Sequence, residues 1–272
     1  MDRMERFYAM DARDGLALLK KEGLRAQLCY IDPPYLTGRD FGAYADRLSP
    51  QDYYAMMRQV LQGIYDVLDD AGSIFVHIDE RTHARLRLML DEIFGEENFR
   101  NEIIWAYKTG GRSTEHFSRK HDVILYYAKS SAAYFDAMQD AQIRKDARLN
   151  HMKRGVDEDG RSYRSIVSHG KEYRYYDDEL VPPSDVWDDI PHLQQRDPER
   201  TGYPTQKPLR LLERILKCAS RPGDLVLDTF AGSGTTLAAC RTLERNFIGM
   251  DASDEAQKVI KNRIKCIEII KN

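Results

Sequence analysis

The chain has 272 residues, enough to bury a sizeable core as one large α/β domain or as one domain carrying an insertion. Its 41 basic and 44 acidic side chains leave a formal charge of −3, which excludes binding to nucleic acid by global charge alone but leaves room for a local basic face. Cys29, Cys218, Cys240 and Cys266 are scattered without a C-x-x-C pair, no apolar run reaches membrane-spanning length, and the start carries no signal-peptide pattern, so the expectation is a cytoplasmic protein with no membrane role.

Taken in order, residues 5–10 read as a strand ending at Asp11, residues 12–22 as a helix, and Ala26 to Ile31 as a buried strand. Asp32-Pro33-Pro34-Tyr35 follows that strand at once. Two consecutive prolines donate no backbone hydrogen bonds, so neither a sheet ladder nor a helix continues through them. A turn-rich stretch runs from Leu36 to Leu48, and Ser49-Pro50-Gln51-Asp52 then predicts a helix start: Ser as N-cap, Pro at the first helical position, an acid at the third. Apolar residues at helical spacing carry that helix to Leu68. Gly72 to Asp79 reads as a second buried strand, with His77 inside it as a hydrogen-bonded core histidine, and residues 81–94 as a second amphipathic helix. Such alternation implies a doubly wound, mostly parallel sheet with helices on both faces.

Asn101 to Tyr107 and Asp122 to Ala128 predict an antiparallel hairpin at the sheet edge, with Lys108, Arg112, Arg119 and Lys120 in its polar tip. Residues 136–200 are the least regular. Bases there, Arg161 and Arg164 among them, alternate with Tyr163, Tyr173, Tyr175 and Tyr176 before the composition turns acidic and proline-rich, which marks a small insertion suited to nucleic-acid contact. The sheet pattern then resumes with a helix over 209–219, a strand over 224–230, a glycine turn, a helix over 235–244, a strand over 246–251 and a last helix over 253–270.

Two constellations carry chemistry. A carboxylate fixed at the carboxyl end of a strand, beside the Pro33 carbonyl and a flat ring, makes a slot for a planar amino group. The unit from Leu225 to Asp251 is a strand, a glycine turn, a helix and a strand ending in an acid, the pattern of a nucleoside-binding half. Gly232-Ser233-Gly234 is followed by Thr235-Thr236-Leu237 with no third glycine. That departure points away from a dehydrogenase and toward an adenosine ligand without a pyrophosphate.

Asp32-Pro33-Pro34-Tyr35 together with Asp228-Thr229-Phe230-Ala231-Gly232-Ser233-Gly234-Thr235-Thr236 resembles the S-adenosyl-L-methionine-dependent DNA amino-methyltransferases. The tetrapeptide precedes the glycine turn, as in the circularly permuted β group. Tyr203-Pro204-Thr205-Gln206-Lys207-Pro208 matches a further cofactor motif of that group, and several stretches resemble the modification (Mod) subunits of type III restriction systems, which are much longer. The resemblance implies a Rossmann-like methyltransferase domain over 1–272 with 136–200 as its inserted DNA-recognition segment. It implies Asp32, Pro33, Pro34 and Tyr35 as catalytic, Phe230, Gly232, Gly234 and Thr235 around the cofactor, Asp251 on its ribose, Lys207 on its carboxylate and Asp11 at its adenine. Asp32, Thr205, Gln206, Asp228, Ala231 and Ser233 complete the expected cofactor site. Lys108, Arg112, Arg119, Lys120, Arg161 and Arg164 are the expected DNA contacts.

The implied reaction moves a methyl group from S-adenosyl-L-methionine to the N6 amine of an adenine flipped out of double-stranded DNA. A homodimer and a restriction-modification partner come with the resemblance as further expectations. A C5-cytosine enzyme needs a cysteine nucleophile, usually after proline, and the chain has no Pro-Cys. N4-cytosine relatives more often begin their tetrapeptide with Ser, and protein-glutamine or RNA relatives with Asn. N4-cytosine methylation remains an alternative, as does a catalytically idle DNA-binding subunit, against which the intact motifs speak.

Overall fold

In this computed structural model, residues 3–38, 48–108, 110, 113–143 and 152–271 are described. Arg112 and part of the stretch following the tetrapeptide therefore lie outside the described residues.

The first half builds β1 (Glu5–Ala9), α1 (Ala12–Glu22), β2 (Ala26–Ile31), α2 (Pro50–Val67), β3 (Leu68–Ile78), α3 (His83–Phe94), β4 (Phe99–Ala106) and β5 (His121–Ala128). The helix start predicted at Ser49 is present: its Oγ accepts from the Asp52 N–H at 3.1 Å, with Pro50 at the first helical position. Strand β3 begins four residues earlier than Gly72. Helix α2 passes into it without a loop, and the extra length is taken up by an irregularity in its pairing with β2 between Ala26 and Leu28.

Residues Asp136–Ser184 form a separate compact unit. Within it β6 (Gln142–Ile143) pairs with β10 (Leu180–Val181), and β7 (Lys153–Val156), β8 (Ser162–Ser168) and β9 (Lys171–Tyr176) make an antiparallel meander. The insertion expected over 136–200 is thus shorter at its far end. Residues 185–200 belong with the main body: β11 (Val186–Trp187) pairs with β4, Trp187 and Ile190 are buried in its core, and the wholly buried Arg214 grips Asp189 at 2.5 and 2.9 Å.

The main body closes with α4 (Leu209–Ala219), β12 (Leu225–Asp228), α5 (Thr235–Thr242), β13 (Asn246–Met250), α6 (Asp254–Arg263) and β14 (Glu268–Lys271). The helix expected to run to residue 270 stops at Arg263. Cys266 adopts a left-handed backbone, φ 64°, and the chain returns as β14 alongside β1, where Glu268 meets Arg6 at 2.8 Å. The β-branched pair Ile269-Ile270 suits this strand.

The strands of the main body order as β11-β4-β5-β3-β2-β12-β13-β1-β14, parallel except around the β4–β5 hairpin. One core face packs α1, α2 and α3 through Leu16, Leu61 and Leu90; the other packs α4, α5 and α6 through Leu211, Leu237 and Ile260. Strands β2 and β12 are neighbours, yet their following helices lie on opposite faces. Their carboxyl ends therefore border the crevice where open α/β sheets bind ligands. Parallel register, Val226 against Leu28 and Leu227 against Cys29, brings Asp32 and Asp228 out at the same edge.

Candidate active site

Asp32 leaves β2 at that edge and meets two groups. The Tyr35 hydroxyl donates to Oδ1 at 2.5 Å, and the Lys207 ammonium donates to Oδ1 and Oδ2 at 2.8 Å each. Lys207 also donates to the Tyr35 hydroxyl oxygen at 3.0 Å and lies 5.1 Å from the centre of its ring. Burial, and then the Asp32 charge, hold the Tyr35 phenol well above its ordinary pKa, so it stays a proton donor. An ammonium has three N–H donors, and all three are engaged here. The pairing of Lys207 with a cofactor carboxylate, expected from the motif, would need one of these bonds to be given up. Immediately after the tetrapeptide, Leu36 holds a left-handed backbone, φ 55°, a strained conformation for a residue with a β carbon.

The glycine turn is built from β12. Asp228 is wholly buried, and burial pushes its carboxyl up to about 7 against bonds from Thr236 and the Phe230 N–H. Gly232 and Gly234 both take left-handed conformations, φ 48° and 71°. A β carbon at Gly232 would stand 3.2 Å from the Tyr203 ring, and one at Gly234 would stand 2.8 Å from Ile260. From the end of β13, Asp251 accepts the Gly232 N–H at 2.9 Å and the Ser253 N–H at 2.8 Å, and burial raises its pKa. Arg263 of α6 fastens the turn from behind through Thr235 Oγ1 at 2.9 Å.

Tetrapeptide and glycine turn line one cavity of about 440 Å³, within the roughly 300–1,000 Å³ of small-molecule sites. Asp11, Asp32, Pro33, Pro34, Tyr35 and Lys207 form part of its wall. Thr205, Asp228, Phe230, Ala231, Gly232, Ser233, Thr235 and Asp251 form another part. Two expected residues stand back from it. Gln206 is buried with its amide engaged by Thr201 and the Glu199 carbonyl, where it braces the loop instead. Gly234 is the N-cap of α5 and shapes the turn. Asp11 lines the cavity while its carboxylate is held by Arg13, whose bond lowers its pKa. Among the described residues, no group of three or more His, Cys, Asp or Glu is arranged to hold a metal ion.

The N6/N4 DNA methylase family matches residues 26–262. The chain belongs to that family. Across 90% of its length it is 31% identical to the type II methyltransferase M.EcaI of Enterobacter cloacae, and it spans 66% of that protein. It is 29% identical to the DNA adenine methyltransferase YhdJ of Escherichia coli K12, covering 92% of this chain and 80% of YhdJ. With the type III StyLTI Mod subunit of Salmonella typhimurium it shares 25% identity over 79% of this chain and 46% of the subunit. Among solved structures, the M1.HpyAVI–SAM complex superposes with a TM-score of 0.63 at 20% identity, covering 96% and 100% of the two chains. The PvuII cytosine-N4-specific DNA methyltransferase gives 0.58 at 15% identity, covering 97% and 94%. Both likenesses are likenesses of fold.

Around the methylase motifs, sequence reading passed over two features. Thr229 lines the cavity, and its buried Oγ1 has no hydrogen-bond partner among the described residues. Only its place between Asp228 and Phe230 signalled it. His77 is the core histidine expected, but it lies beneath Tyr35, as described below. Of the expected DNA contacts, Lys108 is exposed at the root of the hairpin tip, Arg119 pairs with Glu80 at 2.8 Å, and Lys120 reaches the Gly110 carbonyl at 2.6 Å. In the inserted unit Arg161 forks onto Asp178 at 2.7 and 3.1 Å and stacks on Tyr176, while Arg164 lies 3.6 Å from Asp177 and is largely covered.

Proposed function

We propose that this chain transfers a methyl group from S-adenosyl-L-methionine to the N6 amine of adenine in double-stranded DNA. The observation that carries the reading is the register of β2 on β12, which sets an acceptor carboxylate and a glycine turn on one cavity. The cavity suits the cofactor on three counts: the Thr229 hydroxyl, unpartnered among the described residues, a left-handed turn at Gly232 where a β carbon would crowd the Tyr203 ring, and the acid Asp251 at the strand end. Asp251 would take the ribose hydroxyls with the lone pairs not used by Gly232 and Ser253. Phe230 and Asp11 would flank the adenosine. When bound, S-adenosyl-L-methionine supplies a methyl group activated on sulfur.

The protein's part is to make a poor nucleophile a good one. An exocyclic amine delocalises its lone pair into the ring. Asp32 Oδ2 accepts only from Lys207 among the described bonds, so it retains capacity for an amine N–H. The Pro33 carbonyl would accept the second N–H, leaving the nitrogen pyramidal with its lone pair free. Both acceptors would act most strongly as positive charge develops on nitrogen, and Asp32 would take the departing proton. Tyr35 would stack on the base, which leaves the duplex at a cost of roughly a few kcal/mol. The hairpin tip and the inserted unit would each offer phosphate contacts. A restriction partner and a second copy of the chain belong to the same proposal.

N4-cytosine methylation is the second reading, supported by the family's two amine targets and by the fold shared with the PvuII enzyme. Labelled methyl transfer from S-adenosyl-L-methionine to unmethylated DNA, followed by nucleoside analysis, decides. N6-methyladenine is the expected product; N4-methylcytosine alone would overturn the base assignment, and no cofactor binding by calorimetry would overturn the class.

A further inference from the structure

Beneath the tetrapeptide lies a polar network that the proposed chemistry does not use. His77, near the carboxyl end of β3, is wholly buried, and both ring nitrogens are engaged. Nδ1 lies 2.8 Å from the Tyr30 hydroxyl of β2, and Nε2 lies 3.0 Å from Asp122 Oδ2 of β5. The other Asp122 oxygen accepts from the Tyr107 hydroxyl at 2.9 Å. Burial pushes the Asp122 carboxyl up, but the His77 bond, the Lys207 charge and the Tyr107 hydroxyl outweigh it and hold the group at about 2. Asp122 is therefore ionised and can only accept. That settles the tautomer of His77: the proton sits on Nε2, and Nδ1 accepts from Tyr30. Burial, and next the Lys207 charge, lower the pKa of the ring against the raising effect of Asp122 and Asp32.

The ring surfaces are engaged as well. Tyr35 stacks over the imidazole, with centroids 6.5 Å apart and planes 26° from parallel, while Trp105 of β4 meets it edge-on at 5.5 Å. Tyr107 in turn sits where the hairpin tip begins: its N–H donates to the Lys120 carbonyl at 2.9 Å, and its ring packs against His192. A core histidine serving only to fill space needs neither two polar partners nor a flat face turned to the catalytic ring.

We infer that His77 is a positioning residue: clamped between Tyr30 and Asp122, its imidazole fixes the plane of the Tyr35 ring and, through Asp122 and Tyr107, ties that plane to the root of the β4–β5 hairpin. The role rests on the proposed methyl transfer, in which Tyr35 orients the target base. A tilt of the Tyr35 ring would misalign the amine with the methyl group while leaving cofactor and duplex binding intact. The loss should appear in kcat rather than in KM.

The full-length protein, with S-adenosyl-L-methionine and unmethylated duplex DNA, allows two independent readouts. In ¹⁵N-histidine NMR at pH 8 the neutral His77 ring should carry its proton on Nε2, facing Asp122. A neutral ring carrying its proton on Nδ1 overturns the inference whatever the enzyme does. In steady-state assays Asp122→Asn and His77→Leu should lower kcat about 10- to 100-fold, with KM for DNA and for S-adenosyl-L-methionine within about twofold. His77→Gln, which restores a donor toward Asp122, should recover part of the loss, and Tyr107→Phe should cost about threefold. Wild-type kcat in Asp122→Asn, or losses that track thermal melting with no recovery in His77→Gln, overturns the positioning role. A wild-type protein that transfers no methyl group fails the functional reading instead, and the NMR result still decides the clamp.

Discussion

Charged side chains do different work in the cavity wall and in the unit Asp136–Ser184. Around the cavity they are largely covered and mutually constrained: Asp32, Lys207 and Tyr35 close a triangle, Asp251 holds the glycine turn, and Asp122 holds His77. In the inserted unit Arg161 and Asp178 pair at an exposed surface, and Arg174 reaches Glu172 two residues away on the same strand. Water screens the second kind of pair and leaves it nearly neutral in energy; in the first kind, removing one member strands its partner in low dielectric. The same residue types thus mark rigidity in one region and adaptability in the other, as would suit the proposed reaction centre and the proposed DNA-contacting surface.

The largest effect should come from the triangle. Asp32→Asn keeps its size and one acceptor oxygen, whereas Asp32→Ala removes both; either change leaves the largely covered Lys207 without its anion. We expect Asp32→Asn to lower methyl transfer by about 10²–10³-fold or more, with cofactor affinity by calorimetry changed little. Turnover close to wild type would remove the proton-acceptor role. A comparable contrast holds at Gly232, whose left-handed backbone is strained for any side chain and would bring a β carbon to 3.2 Å from the Tyr203 ring. Gly232→Val should weaken S-adenosyl-L-methionine binding at least about tenfold and lower stability by about 1–3 kcal/mol, read by calorimetry and thermal melting.

Asp228 sharpens the comparison through pH. Burial raises its folded pKa to about 7, above the ordinary carboxylate value of 3.8, so between those values the folded state binds the extra proton. Stability from this group is greatest below its unfolded pKa, falls by roughly 1.4 kcal/mol per pH unit as pH rises through the window, and levels off above about 7. Asp228→Asn removes that slope. Denaturant titrations of both proteins from pH 4 to 8 should show the variant gaining on the wild type as pH rises. A constant gap would mean that Asp228 ionises normally in the fold.

The regions also differ in how legible they were. Strand and helix periodicity, the Ser49-Pro50 start and the two prolines after Asp32 are local signals, and they located the strands, the helices and the shared edge. Three features depend on contacts distant in sequence. Arg214 on Asp189 draws residues 185–200 into the main body, and no local pattern announces that pairing. The return of β14 depends on a left-handed Cys266, a conformation with no sequence signature in a non-glycine residue. Lys207 lies 175 positions from Asp32, and a cofactor motif gave no hint that its ammonium would settle on the Asp32 carboxylate.

The smallest effects belong to the exposed unit. Arg161 is exposed and Arg164 largely covered, so replacing both with Ala separates two meanings of a basic surface. If these guanidiniums leave Asp178 and Asp177 for phosphates when DNA arrives, the double variant should bind duplex DNA a fewfold more weakly, and its log–log salt dependence should flatten by about 1–2. Because each exposed pair is nearly neutral in energy, exchanging a carboxylate for a phosphate is cheap, and the melting temperature should barely move. Arg164 complicates a purely electrostatic outcome, since its covered stem also packs the sheet. Arg164→Lys keeps the charge and most of that stem. It should restore the salt slope if phosphates are the partner, and an unchanged slope in every variant would assign both arginines to the sheet alone.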